Sequence, residues 1–250
     1  MESLAPAFPL SRFVEAVKVI EPVAGRAHDL ELLPDGRTAL VYRLADGGRT
    51  ADVAATGPRT HAKLKDLTGV VRVVVLRFKP GWSAPLFGVA ANELTDRIVQ
   101  LQDLWGRSAD DLRDELVAAR SAPEVIERLT RAIAARTRAS VESASARLAR
   151  HAVRLLEGDQ VRVEHVAERL GVTARHLRRA FASSIGIGPK DFARTVRLQR
   201  AVRMATTSTD WSRIAAAAGY YDQAHLIADF RKLVGLTPGA FARRAGDSPR

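Results

Sequence analysis

Runs rich in Val, Leu and Ile occupy residues 12–20, 29–33, 38–44 and 70–78. Their length and β-branched content predict strands. Pro34-Asp35-Gly36 and Asp46-Gly47-Gly48 lie between such runs and supply residues that tolerate positive φ. Pro80-Gly81 stops the last run. The apolar spacing then lengthens: Leu94, Ile98 and Leu101 recur at helical intervals. Ser121, Pro123 and Glu124 form the pattern of a capping box with Pro in the first turn. It opens a helix whose apolar face is Val125, Ile126, Leu129 and Ile133. The front half is therefore expected to be α+β, with antiparallel strands first and helices after.

Residues 134–149 hold Ala, Arg and Ser with few large apolar side chains. This reads as a partly helical connector. A helix resumes over 148–156 and ends at Gly158-Asp159. The expected division is 1–136, a connector at 137–147, and an all-α domain over 148–246.

That last stretch repeats itself. Val163, Val166, Ala167, Leu170 and Gly171 line up with Trp211, Ile214, Ala215, Ala218 and Gly219, offset by 48 residues. After a one-residue insertion, Phe181, Gly186, Pro189, Phe192 and Ala193 line up with Phe230, Gly235, Pro238, Phe241 and Ala242, offset by 49. A short helix, a Gly turn and a second helix ending in a buried Phe is a helix-turn-helix unit, which presents its second helix to a DNA groove. Two units suggest two grooves. Residues 192–206 read as one helix between them, long enough to hold two reading helices about one DNA turn (~34 Å) apart.

In the first unit Val163, Val166, Ala167 and Leu170 make one buried face, and Thr173 suits an N-cap. With Leu177 and Phe181 inward, Arg175, His176, Arg178 and Arg179 are left on the outer face. Arg donates bidentately to guanine O6 and N7, or pairs with phosphate. In the second unit the places of Arg175, Arg178 and Arg179 are taken by Ala224, Ile227 and Ala228, and that of Ala180 by Asp229. Asp222, Gln223 and His225 are its polar candidates for DNA contact. Arg231 and Lys232 would serve phosphates.

Charge sharpens this picture. The 250 residues carry a formal +11. Residues 1–136 hold 19 Lys and Arg against 18 Asp and Glu, whereas 137–250 hold 20 against 10. The positive charge sits with the repeat and calls for a polyanion, because neutralised phosphates release condensed counterions. The chain has no Cys, which excludes disulfides, thiolate zinc sites and Cys nucleophiles. The six His show no metal-ligand spacing, and His28 with Asp29 and Glu31 reads as an exposed strand. No Gly-x-Ser-x-Gly elbow occurs. The run 186–190 superficially suggests a phosphate loop, but its repeat partner at 235–238 makes it a helix-end turn. The longest apolar stretch, 70–76, is broken by Arg72 and too short to cross a bilayer. The opening residues lack the basic start and apolar core of a signal peptide. A cytoplasmic, nucleoid-associated location is expected, with no membrane partner.

Residues 164–244 resemble the DNA-binding domain of AraC/XylS-type bacterial transcription regulators. Ile214, Ala215, Gly219, Tyr220, Asp222, Gln223, Phe230, Arg231, Lys232, Gly235, Leu236, Thr237, Pro238 and Phe241 carry the likeness. The resemblance implies two helix-turn-helix units on a central helix, bound to asymmetric promoter sites. The Arg usual in the family's second recognition helix is replaced by Ala228, which predicts weaker base reading there. The absence of Cys rules out the thiol-based alkyl-transfer repair activity fused to some such domains. The segments 32–36, 76–81 and 94–96 resemble an N-terminal domain found in one subgroup of these regulators.

The expectation is a sequence-specific, non-enzymatic transcription regulator that uses no cofactor or metal. DNA contact is expected from Thr173, Arg175, His176, Arg178 and Arg179, and from Asp222, Gln223, His225, Arg231 and Lys232. Its partner is double-stranded promoter DNA. RNA polymerase, a small-molecule effector of the front half and a second copy in a homodimer stay open. So do two other readings: a front-half enzyme or small-molecule binder tethered to DNA, and a non-specific architectural DNA binder.

Overall fold

The computed structural model describes residues 2–4, 6, 10–22, 29–138, 142–158 and 162–247. Eight strands occur among them: β1 (Glu2–Leu4), β2 (Val14–Ile20), β3 (Asp29–Leu32), β4 (Ala39–Ala45), β5 (Thr50–Thr56), β6 (Lys63–Asp66), β7 (Val70–Phe78) and β8 (Ile98–Gln100). Six form one antiparallel sheet in the order β1-β2-β7-β4-β5-β8. The other two, β3 and β6, pair only with each other.

The helices of the front half are α1 (Ser83–Phe87), α2 (Leu101–Trp105), α3 (Arg107–Val117) and α4 (Ala122–Thr137). Strand alternation gives the large sheet two unlike faces. Val17, Leu40, Tyr42, Val74, Leu76 and Phe78 point to one side and form a single core with Leu86, Leu112, Leu129 and Ile133 of the helices. Val41, Val73 and Val75 point to the other side, where Leu30 of β3 and Leu67 cover part of them. At the start of α4 the Ser121 hydroxyl accepts from Glu124 N at 3.4 Å. The Glu124 carboxylate reaches back one residue further than a capping box requires, to Arg120 N at 3.0 Å.

Several sequence expectations need correction. Residues 10–12 form a 3-10 turn, and the strand starts only at Val14. Leu94, Ile98 and Leu101 do not share a helix. Leu94 closes a 3-10 turn over Ala91–Leu94, Ile98 lies in β8, which pairs with β5 and forms the edge of the sheet, and Leu101 opens α2. The free edge of β5 captures residues 98–100, overriding a spacing that three points could not define. Asp46, Gly47 and Gly48 all take positive φ and turn β4 into β5. Pro34-Asp35-Gly36, by contrast, leads the chain out of the β3–β6 pair rather than folding β3 onto β4. His28 lies outside the described residues.

Among the described residues the second half holds helices and no strand: α5 (Ala144–Gly158), α6 (Val163–Arg169), α7 (Ala174–Ile185), α8 (Pro189–Met204), α9 (Trp211–Ala218), α10 (Gln223–Val234) and α11 (Pro238–Asp247). α5 begins four residues before the expected 148, inside the expected connector. Phe181 and Phe230 are buried mid-helix rather than at helix ends. Each repeat has its own core. Phe181, packed edge-on against Phe192 at 5.5 Å, centres the first, and Phe230, against Phe241 at 5.4 Å, the second. α8 contributes Phe192 to one core and Leu198 and Ala201 to the other, which welds the units together.

The front half touches both units. Thr95 Oγ1 donates to Gly186 O at 2.6 Å, and Arg37 pairs with Glu157 at 2.6 Å while also holding Glu15 at 2.9 Å. Leu33 packs against the second unit's core, Ala62 N donates to Leu233 O at 2.7 Å, and Gln199 Nε2 donates to Pro34 O at 2.5 Å.

Candidate nucleic-acid interface

α6 and α7 are joined by Gly171, whose φ of 66° suits a residue without Cβ. The Thr173 side chain accepts from His176 N at 3.2 Å and so caps α7. Leu177 and Phe181 are fully buried, and the helical period throws Arg175, His176, Arg178 and Arg179 outward. All four are exposed. Arg178 is drawn to Glu164 at 3.2 Å, a pairing between two exposed groups that a phosphate can outcompete. No acidic side chain sits in the first turn of α7, so the partial positive charge of the helix start adds to the Arg field.

In the second unit Gly219, at φ 94°, ends α9. The Asp222 side chain accepts from His225 N at 2.7 Å and caps α10. Gln223, Ala224, His225 and Ala228 are exposed. Gln223 Oε1 accepts from Ser212 Oγ at 3.0 Å, which fixes its carbonyl and leaves its amide free to donate. The His225 ring stands edge-on to Tyr220 at 5.3 Å. Arg231 and Lys232 are exposed nearly two turns further along. Next to the cap, Tyr221 is 93% exposed, an aromatic ring at the N-terminal end of α10 that no periodic pattern in the sequence marks.

The repeat alignment grouped Asp229 with the altered outer positions, but it lies inside. Its side chain is 5% exposed, and Oδ1 accepts from Arg194 Nε at 2.7 Å, with Arg197 3.8 Å from Oδ2. Leu226, Asp229, Phe230 and Leu233 occupy the buried stripe at helical spacing. The sequence signal is the helical spacing: Asp229 follows Leu226 by three residues, as Ala180 follows Leu177, and Ala180 is likewise buried. The Tyr220 hydroxyl beside this cluster is buried without a hydrogen-bond partner, while Arg197 sits over its ring at 5.4 Å. Burial, then the Asp229 charge, push the Tyr220 phenol well above its ordinary pKa, against the opposing pull of Arg197 and Arg194.

Among the described residues no cluster of three His, Asp or Glu is placed to hold a metal ion, and no helix is long and apolar enough to cross a membrane.

Comparison with known proteins bears on this site. Residues 166–244 match a family described as a helix-turn-helix domain. Residues 2–100 match a domain of unknown function, DUF6597. The HTH-type transcriptional regulator GlxA of Rhizobium meliloti (strain 1021) is 38% identical over 82 residues, which are 32% of this chain and 25% of that protein. The chain thus matches about a quarter of the length of this curated relative. Among solved structures, unsaturated fatty acid-bound ToxT from Vibrio cholerae strain SCE256 aligns with a TM-score of 0.48 at 10% identity, covering 94% of this chain and 96% of that one. ToxT from Vibrio cholerae O395 aligns with a TM-score of 0.48 at 9% identity, covering 93% and 97%.

Proposed function

We propose that this chain, whose C-terminal domain belongs to the AraC/XylS type of helix-turn-helix domain, is a sequence-specific promoter-binding transcription regulator. The carrying observation is the exposed Arg175, His176, Arg178 and Arg179 face of α7, set on a helix-turn-helix unit that shares α8 with a second such unit. Arg175 and Arg179 read bases or grip the phosphates beside them. Gln223 and His225 supply the polar contacts of unit two, and Arg231 and Lys232 hold phosphates. Thr173 and Asp222 act through their caps, which orient the first turns of the reading helices. The protein works where the chromosome is, and the front domain is a small-molecule sensor rather than a catalyst.

A duplex-competition experiment tests the reading. Genomic fragments are selected with the full-length protein, and a recovered site is competed against random duplex of equal length. A preference of at least ~10³-fold marks specific recognition. Equal competition by random duplex would make the protein an architectural binder. Affinity should fall with salt at a log–log slope near −5 if about six phosphates are contacted.

A further inference from the structure

The outer face of the large sheet and the β3–β6 pair enclose a cavity of about 350 Å³, within the range of small-molecule sites. Strand register lays out its floor. Lys18, Val75, Val41, Ala54 and Gln100 are successive neighbours across five strands, β2 to β8. Each end of that row is polar and its middle is apolar. Ile20 and Val73 extend the apolar floor on one side, and Leu30, Leu32 and Leu67 line the cavity from the β3–β6 side.

The charges around this space do not balance. Five cationic side chains line it, Lys18, Arg43, Arg59, Lys65 and Arg77, against the three carboxylates of Glu31, Asp35 and Asp52. Arg43 is spent on Asp52, with Nε donating at 2.8 Å. Asp35 is shared by Arg59 at 2.9 Å and Arg77 at 3.3 Å. Lys18 is half-buried and has no ion-pair or hydrogen-bond partner among the described residues. Its ammonium is destabilised by burial and by Arg77, with Asp35 pulling the other way and Arg59 adding to the destabilisation. A cation in that setting lacks a counter-ion.

We propose that this cavity binds a small amphiphilic organic anion, its apolar body lying on Val41, Val73 and Val75 and its anionic head paired with Lys18. This deepens the sensor reading of the front domain and rests on it. The same wall leads into the reading domain. Asp35, which binds Arg59 and Arg77 at the cavity, is one residue from Pro34, whose carbonyl accepts from Gln199 of α8. Gln199 also lines the cavity. Leu33, next in line, packs against the second unit's core. A head group that draws Arg77 or Arg59 off Asp35 therefore acts on the segment that touches α8 and unit two.

The test uses two naphthalene dyes of similar body, the anion 1-anilinonaphthalene-8-sulfonate and the neutral N-phenyl-1-naphthylamine, titrated into full-length protein without DNA. The wild type should bind the anion saturably with blue-shifted emission, and more tightly than the neutral dye. Lys18→Met should weaken the anion roughly tenfold and leave the neutral dye unchanged, while Lys18→Arg restores the anion. Val41→Trp fills the floor and should abolish both. Variants whose melting curves match the wild type are compared. No saturable binding, equal anion affinity in Lys18→Met, or undiminished binding in Val41→Trp each overturn the proposal. Because no DNA is present, these results are independent of whether the duplex competition succeeds.

Discussion

Arg194 of α8 donates through Nε to the buried Asp229 carboxylate of α10 at 2.7 Å, so the central helix holds α10 by charge as well as by packing. Arg197 stands 3.8 Å from the other oxygen of the same carboxylate. α10 offers no other carboxylate on its buried stripe, which makes Asp229 its polar anchor to α8. Around it the apolar contacts of Leu226, Phe230 and Leu233 set the distance between α10 and the core, and the ion pair sets the rotation.

Asp229→Ala should therefore cost about 3 kcal/mol, the lower end for breaking a buried pair, because Arg194 at 21% and Arg197 at 27% exposure can turn toward water. Thermal melts should show a drop of several degrees. A double-mutant cycle with Arg194→Ala should give a coupling above ~1 kcal/mol. An unchanged melting temperature in Asp229→Ala would show that the two side chains do not clamp the helices.

The two reading helices should differ in what they contribute. Arg175→Ala and Arg179→Ala should each weaken binding to a selected site by about 1–3 kcal/mol. Ala228 is exposed where α7 carries Arg179, so Ala228→Arg should strengthen binding in the second half-site. Base-by-base substitution of the site should show steep discrimination in one half and shallow discrimination in the other. Equal steepness in both halves would contradict the assignment.

The repeat, its turns and its buried skeleton were legible because each relies on local chemistry. Thr173 and Asp222 cap, Gly171 and Gly219 turn, and Leu177, Phe181, Leu226 and Phe230 keep helical spacing. The front domain was legible only in its strongest strands. β5 reads Thr-Ala-Asp-Val-Ala-Ala-Thr and owes its place to Val53 and Ala55 facing the core, small residues that a sequence pattern underweights. β6 carries Lys63 and Lys65 and exists because β3 needs a partner outside the main sheet. β8 is three residues long and is made by a free edge. The cavity was invisible for the same reason: Lys18 and Arg77 are distant in sequence and meet through strand register, and Arg59 reaches them from the loop after β5 through Asp35. Asp229 resembles an outer position because a carboxylate is ordinarily exposed, and its place inside depends on Arg194, 35 residues away on α8.

Tyr220 predicts an alkaline instability. Its phenol is raised in the fold, so above the ordinary Tyr value of about 10 the unfolded chain releases a proton that the folded chain keeps. The folded state then holds more protons, and stability present below that pH is lost as pH rises. Tyr42 is raised too, by burial, and contributes in the same direction. Tyr220→Phe removes a buried hydroxyl that has no hydrogen-bond partner, so it should be near neutral at pH 7 and should flatten the loss above pH ~10. Denaturant titrations at pH 7 and at about pH 10.5 measure both effects. A Tyr220→Phe profile parallel to the wild type would remove this group as a cause.

Gly186 and Gly235 occupy equivalent places in the two units, with φ of 94° and 79° at the ends of α7 and α10. An Ala at either position bears the left-handed backbone cost of about 1–2 kcal/mol. Their surroundings differ. A Cβ on Gly235 would meet nothing within 4 Å, whereas one on Gly186 would lie 2.6 Å from Pro58 Cγ and 2.7 Å from the Ala91 carbonyl oxygen of the front half. The Gly186 carbonyl also accepts the Thr95 hydroxyl at 2.6 Å. Gly235→Ala should therefore lose only the backbone contribution, while Gly186→Ala should lose that and the docking of the 3-10 turn Ala91–Leu94 on α7 together. Denaturant unfolding should show the larger loss for Gly186→Ala, and hydrogen exchange should show amides around residues 91–97 opening in that variant alone. Equal losses with unchanged exchange at 91–97 would mean that the front half does not bear on the end of α7.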